Sequence, residues 1–550
     1  MRLGLVTALA CLAACSDGSG SLDLKLSLPS QDDLRPQGAT NVTVNATLPG
    51  ETPISSTSAI EHNAFSTGDL PAGKDIQIGV VLRDVSNRIV GIGEASDAID
   101  IANDKATSLT IPVRRPFVYA ADGTSTTAGL QSYDPTLDAR DPKYQGTIAG
   151  IASPQFMLSV GGDRLAVVTK TQVLIVTTAT NTVSGMVTIP AAPKDATAVP
   201  GTHKIAVAST SGITIVDLDS STVQTAAVGD VDRVTAGPDG TGKNYAFGLI
   251  DRVVAPALPP PLGACTGTSQ LVAVDVDAPA TVAPKSLNMA VSDLAASPDT
   301  PALFASLPCS GQVAQLDGDP SNEVSTLSLT MLTSVERAAV LTVSGGRIWV
   351  AGTKSAVPSC ANSVGDVSPS NCGVTSAGPT CDTDGEPTGS TNPVVWADTG
   401  AALVVASVSY DGKDVVEVVA PSRRQTILDN GDTAAQHAQD LKPITAVPLD
   451  LVTLPGGQYV SVVAESYYYI IAAYSGATPI LPCLEYHTND WLLFDFASAS
   501  IAQRVRTFCG GDFKPTSSFF GPWACDAPPE AETSSVQYKP TSVGALFGAR

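Results

Sequence analysis

Ile213-Thr214-Ile215-Val216-Asp217-Leu218-Asp219 returns with only conservative changes as Leu271-Val272-Ala273-Val274-Asp275-Val276-Asp277. Each copy is an apolar strand ending on a short carboxylate, a side chain that can accept hydrogen bonds from the backbone of the turn that follows. Val313 to Asp319 is a looser copy, and Val173 to Thr178 followed by Ala179-Thr180-Asn181-Thr182-Val183 takes the same place. Ahead of these strands stands a turn with a second apolar strand: Gly161-Gly162-Asp163 before Leu165 to Val168, Pro200-Gly201 before Ile205 to Ala208, and Pro238-Asp239-Gly240 before Tyr245 to Phe247. The same signal recurs at Pro298-Asp299 before Ala302 to Ala305, at Gly345-Gly346 before Ile348 to Ala351, and at Pro455-Gly456-Gly457 before Tyr459 to Val463. The unit is therefore turn, strand, strand, turn, strand, with a period of roughly 40 to 60 residues, the scale of a four-stranded repeat.

Outward from these copies, Phe117 to Ala121, Leu130 to Tyr133 and Tyr144 to Ile148 read as three strands of a repeat that lacks its innermost one. Thr541 to Gly548 can return from the C-terminal end to supply it, which closes the ring and removes the exposed edges of an open sheet. The region resembles the YVTN-type β-propellers of bacterial surface proteins, on the strength of Val173 to Val183 and the Pro238-Asp239-Gly240 turn. That resemblance implies a β-propeller and says little about activity. Seven blades are expected if Ala401 to Val419 completes the blade begun at Ile348, and eight if it begins its own.

Before the repeats the pattern is shorter. Leu22-Asp23-Leu24-Lys25-Leu26-Ser27-Leu28 alternates strictly, as do Val42 to Leu48 and Ile76 to Leu82, so each places one apolar face on a strand. With a hairpin at Val85-Ser86-Asn87-Arg88 and a last strand through Leu109, Ile111 and Val113, residues 22–115 are expected to form an antiparallel β-sandwich. Gly68-Asp69-Leu70-Pro71-Ala72-Gly73 is similar to immunoglobulin-like and prealbumin-like modules of bacterial surface proteins. The expected fold class is thus all-β, with a sandwich followed by a propeller over residues 116–550.

The first 14 residues, with one charge at Arg2 and an apolar run to Ala14, have the layout of an export signal. Leu12-Ala13-Ala14-Cys15 resembles the bacterial lipobox, which implies that Cys15 is lipidated and that the protein is anchored to a membrane by acyl chains, with the outer membrane favoured by Ser16 at the next position. Residues 15–21 then form a tether with a reach of about 13 Å, so the first domain sits close to the bilayer. No later stretch has the character of a membrane span. Ser466 to Leu484 is uncharged and long enough, but Gly476, Pro479, Pro482 and its tyrosines break it into turn and strand.

With 31 basic against 53 acidic residues and a net charge of -22, the surface repels nucleic acid and anionic headgroups. Beyond Cys11 and Cys15, eight cysteines remain: Cys265, Cys309, Cys360, Cys372, Cys381, Cys483, Cys509 and Cys525. An even number in an exported chain favours disulfides, and clustering suggests Cys265 with Cys309, two among Cys360, Cys372 and Cys381, and two among Cys483, Cys509 and Cys525. No Cys-x-x-Cys pair accompanies the four scattered histidines, which disfavours zinc.

Three groups of residues could carry function. Asp382, Asp384 and Glu386 in the long insertion Ser355 to Asn392 alternate as in a calcium loop, although the full ligand set is missing, so a solvated loop and no cofactor is the expected reading. Tyr486, His487, Phe519, Phe520 and Trp523, late in an aromatic-poor chain, are candidates for a binding surface that takes a protein or glycan partner. His487 beside Glu485 and Asp490 is the one acid–histidine grouping, and no Gly-x-Ser-x-Gly context supplies a nucleophile for it. A binding scaffold is therefore favoured over a propeller hydrolase or lyase acting on envelope polymers.

Overall fold

The structure is a computed structural model. It describes residues 19–506 with gaps, together with residues 540–547; the longest stretches outside the description are 1–18, 28–37, 123–129, 134–145, 255–266, 355–371, 429–444 and 507–539. Every described element of secondary structure is a strand or an isolated turn.

The N-terminal domain is one curled sheet whose ladder runs through Ile54–Ala59, Ala39–Thr47, Gly73–Asp84, Ile89–Glu94, Ala106–Arg114, Ser19–Ser27 and Ala64–Ser66. Its apolar positions alternate as the sequence predicts: Leu22, Leu24 and Leu26 meet Val42, Val44, Ile76, Ile78, Val80 and Ile111 in a single core. Two details differ from expectation. Pairing is antiparallel except between Ser19–Ser27 and Ala106–Arg114, which run parallel with Leu24 opposite Leu109. The first strand also opens at Ser19, inside the segment read as tether. Ser21 N–H donates to Lys105 O at 3.1 Å, and Gly20 has space for this close approach because it carries no Cβ.

Among the described residues six four-stranded sheets and one seven-stranded sheet follow, with two two-stranded ribbons besides. Each of the seven sheets begins with an inner strand. In sequence these are Pro154–Ser159, Asp195–Ala198, Arg233–Pro238, Asp293–Ala296, Arg337–Ser344 and Thr445–Thr453, while the seventh is Pro540–Phe547 from the C-terminal end. The inner strands touch one another in cyclic order, and Pro540–Phe547 lies between Thr445–Thr453 and Pro154–Ser159. This is a β-propeller, its blades one to seven numbered here from the sheet of Pro116–Asp122. Blade one is closed by the antiparallel pairing of Pro116–Asp122 with Pro540–Phe547, Val118 opposite Ala545. Ala402–Ser409 pairs with Arg347–Lys354 and so belongs to blade six rather than beginning a blade of its own.

The cores lie between blades. Val168, Val173, Ile205 and Val216 join blades two and three; Ile213, Val234 and Val272 join three and four; Phe247, Leu294 and Leu303 join four and five; Phe304, Ala338 and Val350 join five and six. At roughly 25 cal/mol per Å² of apolar surface, these seams are the main cohesive force of the ring. The N-terminal domain abuts the ring at Arg83, whose guanidinium is lowered by burial despite the nearby Tyr459 and Asp495 of blade seven.

Candidate functional site

The carboxylates quoted first from the sequence act as that reading requires. Asp217 Oδ1 accepts from the N–H groups of Asp219 and Ser220, both at 3.0 Å, and Asp275 Oδ1 accepts from Asp277 at 2.9 Å and Ala278 at 3.3 Å. Asp317 Oδ1 accepts from Asp319 N–H at 3.0 Å in blade five. In the blade-two variant, Asn181 takes a positive φ of 51°, which asparagine tolerates, and its side chain accepts from Tyr119 of blade one at 2.8 Å. The second aspartate of the motif reaches back one blade. Asp219 accepts from Arg164 at 2.6 Å and lies 2.7 Å from His203 Nδ1, and Asp277 accepts from Lys204 at 2.7 Å.

A second set of charges, not singled out in the sequence, stands where the inner strands begin. Asp195, Arg233 and Asp293 occupy one equivalent position, because each opens its inner strand and the residue before each donates its N–H to the second strand of its own blade: Lys194 to Ala208 O, Asp232 to Leu249 O and Ser292 to Ser306 O. Their signs alternate across blades three, four and five. Arg233 lies between two carboxylates, with Nη1 3.4 Å from Asp195 Oδ1 and Nε 3.8 Å from Asp293 Oδ1. Each carboxylate also reaches the next blade: Asp195 Oδ2 accepts from Val234 N–H at 2.8 Å, and Asp293 Oδ2 accepts from Leu341 N–H at 2.9 Å. Thr235 Oγ1 accepts from Ala296 N–H at 2.9 Å between them. Blades three to six are thus clasped side chain to backbone at one end of the ring.

Burial governs the charges of this clasp. It pushes Asp195 up to about 6, with Arg233 opposing and Asp293 reinforcing the shift. Asp293 is raised by the same cause, against the pull of Arg233 and Arg252. For Arg233 burial acts downward, but Asp195, Asp293 and Asp450 outweigh it and hold the guanidinium above its ordinary value. Asp450 belongs to the inner strand of blade seven, so the guanidinium feels charge from across the ring. Arg252 flanks the group, donating through Nε to Ser292 O at 2.6 Å and through its backbone to Asp232 at 3.0 Å.

The carboxylates of the clasp are engaged, while Arg233 Nε, 3.8 Å from Asp293 Oδ1, makes no hydrogen bond among the described residues. Both oxygens of Asp195 and one of Asp293 are held by backbone or arginine, and Ser292 Oγ is engaged with Ser306 and with Ala338 O. Among the described residues no group of three or more histidine, cysteine, aspartate or glutamate side chains could hold a metal ion. The arrangement positions blades. A sequence signal for it exists: Asp195, Arg233 and Asp293 each stand five residues before a turn proline, Pro200, Pro238 and Pro298.

Of the expected binding surface, the backbone of Tyr486 and His487 lies on one described strand. In blade seven, Tyr459–Ile471 and Leu484–Asp495 form an extended hairpin in which Tyr467 lies opposite His487 and Tyr468 opposite Tyr486. Its far end continues through Arg424–Leu428 and Val394–Asp398 to Cys372–Thr375, so one strand of the long insertion and the tyrosine-bearing hairpin share one sheet. Glu485, His487 and Asp490 all fall on the strand Leu484–Asp495. Cys309 is disulfide-bonded. Cys15, Cys265, Cys360, Cys483, Cys509, Cys525, Asp382, Asp384, Glu386, Phe519, Phe520 and Trp523 lie outside the described residues, and the side chains of Cys372, Cys381, Tyr486 and His487 do so too.

No family model matches the chain, and no curated protein matches it. Solved structures with similar folds include the hydrazine synthase of Kuenenia stuttgartiensis, at 12% identity over 64% of this chain and 95% of that one with a TM-score of 0.35. A periplasmic gluconolactonase of Pseudomonas aeruginosa is 12% identical over 67% of this chain and 95% of that one, TM-score 0.35. The Cps50 (Swd1) propeller domain of Myceliophteria thermophila is 11% identical over 63% and 95%, TM-score 0.31. The chain is an all-β protein with a β-propeller, and its own ring of inner strands is the evidence for that class.

Proposed function

We propose that this protein is a binding scaffold of the bacterial envelope, anchored through lipid on Cys15, whose propeller presents a surface to a protein or glycan. The observation that carries this reading is the seven-stranded sheet of blade seven, in which Arg424–Leu428, Val394–Asp398 and the insertion strand Cys372–Thr375 extend the tyrosine-bearing hairpin. An enlarged sheet projecting from one blade of a closed, clasped ring is suited to holding a partner in fixed orientation. The engagement of Asp195, Arg233 and Asp293 in joining blades supports a platform over a hydrolase or lyase.

The test is crosslinking in intact envelopes followed by capture of the wild-type protein, of a Cys15→Ser form, and of a form with Tyr467, Tyr468 and Tyr486 changed to Ser. A partner enriched with wild type and lost from the tyrosine variant is the expected result. No enrichment over the Cys15→Ser form, or equal capture by the tyrosine variant, would contradict the reading.

A further inference from the structure

The turn after the inner strand of blade five differs from its counterpart in blade four, although Pro298-Asp299 repeats Pro238-Asp239. In blade four, Asp239 Oδ1 accepts from Thr241 N–H at 2.8 Å, from Thr241 Oγ1 at 2.7 Å and from Lys243 N–H at 2.9 Å, so the carboxylate closes the turn. In blade five Ser297 takes that part: its Oγ accepts from Asp299 N–H at 3.3 Å and from Thr300 N–H at 3.2 Å. The Asp299 carboxylate is left over. Thr300 Oγ1, unlike Thr241 Oγ1, makes no hydrogen bond among the described residues. Burial alone acts on Asp299 and raises it, with no hydrogen bond or cation opposing the shift, whereas Asp195 and Asp293 are raised by burial against the pull of Arg233. A half-buried carboxylate is costly unless a cation meets it.

An aromatic hydroxyl stands beside it. Tyr410, in the turn after the third strand of blade six, reaches back one blade to set its hydroxyl 3.2 Å from Ser297 Oγ, the atom that also holds the Asp299 and Thr300 N–H groups. Its ring lies against Phe304, with centroids 5.1 Å apart. Burial pushes the phenol up to about 12; the Ser297 bond opposes this and the Asp299 charge adds to it, so carboxylate and phenol act on each other. Asp299 and Tyr410 both keep part of their surface exposed, at the seam of blades five and six and at the end of the inner strand away from the clasp. Lys413, the lysine nearest Tyr410 in sequence, is paired with Asp411 at 2.8 Å and brings no charge to Asp299.

We infer that Asp299 and Tyr410 form a socket for the ammonium of a lysine side chain on a protein partner, inserted at the seam of blades five and six. This rests on the binding-scaffold reading and makes its partner a protein. The three N–H donors of an ammonium match three oxygens, the two of the carboxylate and the phenol oxygen, and the aromatic ring favours a cation beside it. A chain of net charge -22 also draws a basic partner towards it.

The probe is N-acetyl-lysine methylamide, with its norleucine counterpart and calcium chloride as comparisons, all at constant ionic strength. Thermal unfolding is followed for the wild-type chain and for Asp299→Asn and Tyr410→Phe. The expected result is a rise in midpoint of about 1–3 °C for wild type at tenfold the Kd of the lysine probe, absent with norleucine, lost in Asp299→Asn and weakened in Tyr410→Phe. Asp299→Asn without probe should melt no lower than wild type, because the amide removes an uncompensated half-buried charge. The inference is overturned if Asp299→Asn keeps the lysine response, if it melts well below wild type, if norleucine or calcium matches lysine, or if wild type does not respond. Envelope crosslinking separates this from the scaffold reading: undiminished partner capture by Asp299→Asn removes the socket and leaves the scaffold, whereas a lysine response in a chain that captures nothing does the reverse.

Discussion

Aspartates at the rim and aspartates near the axis of this propeller do opposite things with the same side chain. Asp217 and Asp275, at the ends of third strands, gather backbone N–H groups within their own turn and are held below the usual carboxylate value; backbone hydrogen bonds and nearby lysines outweigh partial burial. Asp195 and Asp293, at the starts of inner strands, are raised by burial, even with Arg233 between them. The rim groups stabilise a local turn. The axial groups join different blades and carry a desolvation cost that one arginine only partly offsets. The lesson is that a repeat can use one residue type for local closure and for ring assembly, with the distinction set by burial.

The sharpest way to break this contrast is to remove the shared arginine. Arg233→Met leaves Asp195 and Asp293 buried without their counter-ion and should lower unfolding stability by about 3–5 kcal/mol at pH 7, measured by denaturant titration. The loss should shrink at pH 5, where the carboxylates take up protons.

The second test is the sign of the pH dependence. A carboxylate raised in the folded state binds protons more tightly there than when unfolded. Its contribution to stability is therefore complete below the unfolded value of 3.8 and is lost as pH rises through about 6 for Asp195. Asp195→Asn should flatten that segment of the stability profile by roughly 1–3 kcal/mol between pH 4 and 7. For the rim the sign reverses: the contribution of Asp217 and Asp275 is present above the unfolded value and is lost as pH falls through their lowered folded values.

A smaller effect is expected from Asp217→Ala, which frees two turn N–H groups to water and should cost about 1 kcal/mol by denaturant titration. Smallest of all is Asp219→Ala. The Asp219 carboxylate is exposed, with ion pairs to Arg164 and His203, so its loss should leave the denaturation midpoint unchanged at 0.5 M salt, by the screening expected of surface pairs at about that ionic strength.

The rim was legible in the sequence because its chemistry is local. Asp217 and the N–H groups it receives lie within three residues, so the motif repeats wherever the turn does. Closure of the ring by the C-terminal strand was legible from the missing strand of blade one. The axial clasp was not, since Asp195 meets Val234 and Asp293 meets Leu341, partners 39 and 48 residues away that only the assembled ring brings near. The proline five residues downstream marks the positions but not their partners. The parallel first strand of the N-terminal domain escaped for a similar reason: alternation fixes which face is apolar, not the direction of the neighbour.

Hydrogen exchange at single-peptide resolution on wild type and Arg233→Met tests the clasp most directly. Val234 and Leu341 donate their N–H groups to the two axial carboxylates, whereas Asp219 and Ser220 donate to Asp217 at the rim. The expected result is faster exchange in Arg233→Met at the peptides holding Val234 and Leu341, with the rim peptide around Asp219 unchanged. Equal acceleration at rim and axis, or none at Val234 and Leu341, would contradict a clasp centred on Arg233.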